Sequence, residues 1–293
     1  MKILITGANG LLGEKCALLL AQTYNVLATD IDEKSLYSDQ IPYQQLDITR
    51  KEDVIQKIRG FLPDVVVNCA GYTDVDGSEK NRDLAWSINV EGVRHLVNAL
   101  NPIGGYLIHF SSDYIFDGSS GPYREDSEPK PVNFYGETKL ASEEVVKKSQ
   151  GAWTIIRSNV LFGNSVNQKS SFVFWVIDKL QRREKIRVVN DQFGNPTWIR
   201  GLAEAVLAIV KGRLQGIYNY GGADYINRFE FALEIAAVYA YDPTLILAST
   251  TRALGQVAAR PFKAGLVVDK IKNELGVKIY SIKEALTIMK GTG

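Results

Sequence analysis

The chain has 293 residues, 45% of them apolar and 23% charged, enough for one large α/β domain or for a domain plus a smaller lobe. Its 34 basic and 33 acidic side chains leave a net charge of +1, which argues against nucleic acid or an anionic membrane as partner, so any anionic ligand needs a local site. Cys16 and Cys69, the only cysteines, lie in apolar stretches that read as core, against a disulfide framework. Apolar runs reach only about six residues, against the roughly 20 of a membrane helix. Met1–Thr6 reads as neither signal nor transit peptide, so the expectation is a soluble, cytoplasmic protein.

In chain order, Lys2–Ile5 predicts a strand and Leu11–Gln22 a helix, followed by strands at Val26–Ala28 and Tyr43–Leu46 and a helix at Lys51–Arg59. Val65–Val67 has no polar alternation, as expected of a strand buried on both faces. A helix over Leu84–Leu100 leads to a strand at Tyr106–Phe110. Residues Gly118–Phe134 form a loop rich in Gly, Ser and Pro, after which Tyr135–Lys147 is helical and Trp153–Ile156 extended. Beyond Gly163, helices are expected at Ser171–Gln181, Ile199–Val210, Phe229–Tyr239 and Ser281–Lys290, with strands near Ile186–Val189 and Ile217–Tyr220.

This alternation predicts an α/β fold: a doubly wound parallel sheet of Rossmann type with a smaller, partly interleaved C-terminal substrate lobe. Residues 1–160 with 196–222 would form the dinucleotide-binding domain, and 161–195 with 223–293 the lobe.

Between the first strand and helix, Gly7-Ala8-Asn9-Gly10-Leu11-Leu12-Gly13 has the spacing G-x-x-G-x-x-G. Glycines here serve a tight turn, a close approach of backbone to pyrophosphate, and close packing of helix on strand. The helix N-terminus offers N–H groups to the phosphates. Asp30, after the second strand, is placed to accept from the adenosine ribose hydroxyls and to repel a 2′-phosphate. With Asp32 and no arginine nearby this favours NAD(H), while Lys34 leaves NADP(H) open. Asp47-Ile48 follows the third strand, where a carboxylate can reach the adenine amino group. Cys69-Ala70-Gly71 follows the fourth, where small residues let a nucleotide lie close.

Tyr135 and Lys139 stand one helical turn apart on one face. An ordinary tyrosine titrates near 10, and a lysine ammonium beside it would lower that value and make the phenol a usable general acid. The lysine can also hold the nicotinamide ribose. Ser111-Ser112 closes the strand from Tyr106, at the sheet edge where such folds bind ligands, and a hydroxyl there can donate to a substrate oxygen.

The stretches Asn68–Asp76, Phe110–Gly118, Pro131–Lys139 and Asn190–Thr197, closed by Arg260-Pro261, are similar over nearly the whole chain to the extended short-chain dehydrogenase/reductase family. That family contains nucleotide-sugar reductases, epimerases and dehydratases. The resemblance implies Ser112, Tyr135 and Lys139 as catalytic triad, and Thr73, Val75, Asp113 and Tyr114 as substrate-facing residues. Arg260 is open between a structural ion pair and a diphosphate contact. The reaction implied is NAD(P)H-dependent reduction of a 4-keto-6-deoxy sugar on a nucleoside diphosphate. The alternatives are a nucleotide-sugar epimerase of the same family or the non-catalytic regulatory subunit of a methionine adenosyltransferase.

Two strings depart from the family. Arg157-Ser158-Asn159-Val160-Leu161-Phe162 stands where R-T-S-W-[VL]-[YF] is usual, putting a valine in place of the tryptophan expected to pack on the sugar. Phe262-Lys263-Ala264-Gly265-Leu266 replaces x-N-S-x-L after Arg260-Pro261. His95 and His109 read as packed or surface residues, with no Cys/His cluster to suggest a metal. Trp175 and Trp198 read as core, and Glu125, Asp126 and Glu128 as solvated. Base, sugar and oligomeric state stay open, a homodimer being compatible with everything above.

Overall fold

The computed structural model describes residues 1–37, 39–166 and 171–292. The chain begins β1 (Lys2–Thr6), α1 (Leu11–Leu20), β2 (Asn25–Asp30), β3 (Tyr43–Gln45), α2 (Lys51–Phe61) and β4 (Val65–Asn68). Short helices α3 (Val75–Lys80) and α4 (Arg82–Trp86) run through a π-helical turn at Ser87–Glu91 into α5 (Gly92–Leu100). Next come β5 (Tyr106–Ser112), α6 (Phe134–Lys147), β6 (Trp153–Ser158), β7 (Leu161–Phe162), α7 (Phe172–Gln181) and β8 (Ile186–Val189). The rest is β9 (Phe193–Gly194), β10 (Thr197–Trp198), α8 (Ile199–Gly212), β11 (Gly216–Tyr220), β12 (Ile226–Asn227), α9 (Arg228–Tyr239), β13 (Ile246–Ser249), α10 (Thr251–Leu254), α11 (Asp269–Leu275) and α12 (Ile282–Gly291).

Seven parallel strands make the central sheet in the order β11-β6-β5-β4-β1-β2-β3. The chain winds outward from β1 in both directions, so a crevice opens between β1 and β4 at the carboxyl ends of the strands. The apolar run in β4 is shared between the two faces. Val65 and Val67 join a cluster with α1 and α8, while Val66 joins one with α2, α5 and α6. A third cluster unites α7, α9 and α12 with Ile186, Val188 and Trp198, so Trp198 is core as expected.

Eight of the described elements lie outside the sequence expectation: α3, β7, β9, β10, β12, β13, α10 and α11. Helix α11 buries only Ile271, and β13 buries only Ile246, so neither carries enough apolar periodicity to register. Helix α3 buries only Gly77 and Ser78. The helix expected over Leu84–Leu100 contains the π-turn, where Asn89 donates to Tyr72 O (3.1 Å) and Thr138 Oγ1 (2.9 Å) and accepts from Tyr72 N (2.8 Å). A local widening of this kind frees one side chain to clamp neighbouring segments, here the loop after β4 and α6.

β6 is locked to α6 by a buried ion pair. Arg157 Nε and Nη2 donate to both carboxylate oxygens of Glu143 at 2.9 and 2.8 Å, and Nη1 donates to Glu125 O at 2.9 Å. Glu125, expected in solvent, is half-buried and accepts from Asn219 N (3.0 Å) in β11, whereas Asp126 and Glu128 are exposed as expected. Removing one member of such a pair strands a buried charge. Arg157→Met is therefore expected to destabilise the protein by about 3–5 kcal/mol in urea denaturation, with much of the loss recovered in the Arg157→Met, Glu143→Leu double variant. A single-variant loss below about 1 kcal/mol would mean that the pair is not what holds β6 to α6.

Candidate active site

Two of the three glycines in the first turn have no room for a side chain. Gly7 has φ +67°, and a Cβ on it would lie 2.5 Å from Ala70 N; one on Gly13 would lie 2.0 Å from Gly7 O. Gly10 is less confined, its nearest neighbour being Gly7 O at 3.1 Å. The effect is to bring the start of α1 against the ends of β1 and β4. Gly10, Leu11, Leu12 and Gly13 line a cavity of about 820 Å³, together with Cys69, Ala70 and Gly71. The first-turn N–H groups of α1 have no intrahelical acceptors, so this cradle suits a pyrophosphate.

Five candidate cofactor residues, Gly7, Asn9, Asp30, Asp47 and Ile48, do not line that cavity. The Asn9 side chain is spent on the loop after β2, donating to Asp32 Oδ2 and Lys34 O at 3.0 Å and accepting from Leu36 N at 3.1 Å. Asp30 accepts from Asn9 N (2.8 Å) and Ile31 N (2.7 Å); burial holds its carboxyl above the usual range, against the pull of those bonds. Asp47 accepts from Thr49 N and Oγ1 at 2.9 and 2.7 Å, closing its own turn. Ile48 is core, where a Cβ on Gly92 would strike it at 2.6 Å.

The reacting end is assembled by α6 approaching the turn after β5. Asn133 caps α6 by accepting from Gly136 N at 2.8 Å, and a Cβ at Gly136 would sit 2.2 Å from Tyr114 O. Only glycine permits that approach, which brings Ser112, Tyr135 and Lys139 onto one cavity wall. Ser112 Oγ donates to Asp113 Oδ1 (3.1 Å) and accepts from Tyr114 N (3.2 Å). The rings of Tyr114 and Tyr135 meet edge-on, centroids 5.8 Å apart.

The electrostatics depart from the sequence expectation. Burial pushes the Tyr135 phenol up from its ordinary value, only partly offset by Ser112, so Lys139 does not bring it down. Lys139 is itself buried and falls to about 8, Glu143 opposing the shift. Desolvation dominates for both groups, opposed by Glu143 at Lys139 and joined by the Asp113 charge at Tyr135, which keeps the phenol protonated and able to donate.

Behind Lys139 runs a chain of hydrogen bonds. Thr6 Oγ1 donates to Asn68 Oδ1 (2.6 Å), leaving the Asn68 amide to donate to His109 Nδ1 (3.1 Å). His109 must then donate from Nε2 to Ser142 Oγ (2.9 Å), and Ser142 donates to Lys139 O (2.7 Å). Burial, then the Lys139 charge, holds His109 well below its usual range, so it is neutral. Thr6, Asn68 and His109 are in register on β1, β4 and β5, so the sheet is tied directly to the turn that carries Lys139.

Thr73, Val75, Asp113, Tyr114 and Arg260 also line the cavity. Both readings of Arg260 have a basis: it donates to Asp76 Oδ1 and Ala258 O, each at 2.9 Å, yet still borders the cavity. Burial raises Asp113 to about 6, against hydrogen bonds from Ser112 and Asn159 and the charge of Arg228. Arg228, Asn159 and Ser171 are cavity residues that sequence reasoning missed. Arg228 had a signal: a cation at the first position of α9 runs against the helix dipole and needs a negative partner. Trp175 corrects an expectation. It is 40% exposed and lines the cavity, because α7 turns Val173, Val176 and Leu180 to the core instead. Val160 lines it too, in a left-handed conformation (φ +23°) unfavourable for a β-branched side chain. Among the described residues there is no metal-binding cluster of His, Cys, Asp or Glu, and no helix is long and apolar enough to cross a membrane.

A doubly wound sheet with a phosphate cradle at its switch point and a Ser–Tyr–Lys set beside it defines an NAD(P)-dependent oxidoreductase of the short-chain dehydrogenase/reductase class. The chain belongs to the RmlD substrate binding domain family, whose match covers residues 1–290. It is 33% identical over 287 residues to the spore coat polysaccharide biosynthesis protein SpsK of Bacillus subtilis, covering 97% of this chain and 95% of that one. It is 32% identical over 299 residues to the dTDP-4-dehydrorhamnose reductase of Aggregatibacter actinomycetemcomitans, covering 97% of each. The structure matches that of dTDP-4-dehydrorhamnose reductase from Bacillus anthracis, solved with NADP, with TM-score 0.91 at 31% identity, over 100% of this chain and 99% of that one.

The value near 8 for Lys139 yields a pH prediction. Its folded-state pKa is depressed, so the ammonium is present below about 8 and lost above it. If Lys139 holds the ribose of the dinucleotide, NADH affinity followed by nicotinamide fluorescence should weaken as pH rises through about 8. Affinity unchanged up to about pH 10, the range of an ordinary lysine, would remove Lys139 from the binding site.

Proposed function

We propose that this protein reduces the 4-keto group of a 6-deoxy sugar carried on a nucleoside diphosphate, with NADH as preferred reductant. The observation that carries the reading is the convergence of Ser112, Tyr135 and Lys139 on the cavity that the α1 cradle also borders. The similarity to dTDP-4-dehydrorhamnose reductases supports the choice of substrate class.

The residues fit the cofactor: glycines that a Cβ would block, and helix N–H groups facing the cavity. The dinucleotide, when bound, supplies the hydride that goes to the carbonyl carbon. The Tyr135 phenol gives its proton to the carbonyl oxygen, and Ser112 donates a hydrogen bond to the same oxygen as charge builds on it. Donation by Ser112 requires its hydroxyl to turn away from Asp113, and protonation of Asp113, near 6, would release it. Lys139 holds the ribose. Arg228 and Arg260, both on the cavity wall, are placed for the diphosphate. Gly7, Gly10–Gly13 and Cys69–Gly71 hold the dinucleotide by backbone, with Asp30 and Asp32 near the adenosine ribose. Asp30 is the basis of the NADH preference, since a 2′-phosphate beside two carboxylates is repelled.

NADH oxidation, followed by loss of absorbance against a panel of nucleotide 4-keto sugars, tests the reaction. Tyr135→Phe is expected to lower turnover by about 10²–10⁴-fold while dinucleotide affinity stays near wild type. A variant keeping more than about a tenth of wild-type turnover would exclude Tyr135 as proton donor. For the cofactor, the unmodified protein should turn over faster with NADH than with NADPH at subsaturating concentrations, and Asp30→Ser should move the ratio toward NADPH. Equal or better use of NADPH by the wild type overturns the preference.

A further inference from the structure

The cavity wall extends along α7, past the groups assigned to the carbonyl. Ser171, just ahead of the helix, is 2% exposed, and its Oγ has no hydrogen-bond partner although it lines the cavity. It stands where the helix leaves its first N–H groups without acceptors, so hydroxyl and helix end offer donors to the same ligand. One turn further on is Trp175, whose N donates to Ser171 O at 3.0 Å. Its ring lies 5.8 Å from that of Phe172, at 33°, and the Arg228 guanidinium lies 5.5 Å from the Phe172 ring. Arg228, Phe172 and Trp175 thus form a continuous sequence of cation, ring and ring. Leu254, 42% exposed, and Arg187 line the same cavity.

A half-exposed tryptophan on a helix that turns Val173, Val176 and Leu180 to the core is a surface that gains from a flat partner. A donor end for phosphate at Ser171 and an aromatic face one turn beyond it match the two ends of a nucleotide.

We propose that Trp175 is the platform on which the base of the nucleoside diphosphate stacks, anchored by its phosphates at Ser171 and the start of α7. This rests on the nucleotide-sugar reading above and assigns a specificity-determining residue within it. Base recognition then lies on α7, in the lobe, while the carbonyl is handled on β5 and α6.

The test measures dTDP, inorganic pyrophosphate and NADH binding by calorimetry for the wild type, Trp175→Ala and Trp175→Phe. Stacking on one aromatic ring is worth enough that Trp175→Ala should weaken dTDP roughly 5- to 150-fold, and Trp175→Phe much less. Pyrophosphate and NADH should bind all three proteins alike, and KM for the nucleotide sugar should rise in Trp175→Ala with kcat held. Unchanged dTDP affinity in Trp175→Ala, with the wild type binding well, overturns the stacking role. So does a parallel loss of pyrophosphate, which would mean a damaged phosphate site. A raised sugar KM with dTDP binding intact would place the ring against the sugar and also overturn the assignment. If the wild type binds neither dTDP nor UDP, the nucleotide-sugar reading itself fails, and this inference falls with it.

Discussion

The contact between α6 and the turn after β5 is the constraint on which the candidate site depends. A helix can approach a carbonyl this closely only where it has no side chain, and Gly136 against Tyr114 O is that place. Moving α6 outward by the radius of a methyl group would separate Tyr135 from Ser112 and pull Lys139 off the cavity wall. The same approach is held from the other side by Glu143, whose buried pair with Arg157 ties α6 to β6. The hydrogen-bonded row from Thr6 to Ser142 ties it to the sheet. One helix is thus fixed by a missing side chain, an ion pair and a polar chain, each from a different part of the sequence. That is the rigidity a proton donor needs if its position is to be set before substrate arrives.

Much of this was legible in the residues. The alternation of β-branched runs with helical periods predicted the parallel sheet, and its seven-stranded, doubly wound form follows. The glycine turn, the serine closing β5 and the tyrosine–lysine pair all reach one cavity. Local spacing sufficed there because each motif is placed by the strand or helix it belongs to. The misses lie where position depends on distant chain. Asn9 and Asp47 sit in the expected turns, but their side chains satisfy neighbouring backbone instead of facing the cavity. Trp175 looked like core because its apolar neighbours are core, and nothing in the local pattern says which side of α7 the lobe leaves open.

The direction of the Tyr135 shift was also beyond the reach of spacing. An i,i+4 lysine suggests a lowered phenol, but that argument counts charge and omits solvation. Here both groups are buried, and removing water penalises phenolate and ammonium alike. A phenol held protonated is in the form that donates, and a lysine near 8 keeps its charge only while the medium supplies the proton. On the proposed reading, that favours proton delivery to a carbonyl over proton removal from an alcohol.

The near-zero net charge conceals a polarity that only the fold reveals. Asp30 and Asp32 stand together at the end of β2, both accepting from Asn9. Arg187, Arg228 and Arg260 gather on the cavity wall from β8, α9 and the loop before α11. These cationic residues are spread over more than seventy positions of sequence, so no local window shows a basic patch. Two ligands that both carry a diphosphate can then be told apart by their surroundings. On the proposed reading, one phosphate pair would meet uncharged N–H groups at α1 with carboxylates beyond them, and the other guanidinium groups from β8, α9 and the loop before α11. Carboxylates near the first site would then oppose extra negative charge there and the arginines favour it at the second, which would sort the two anions by charge before either makes a specific hydrogen bond.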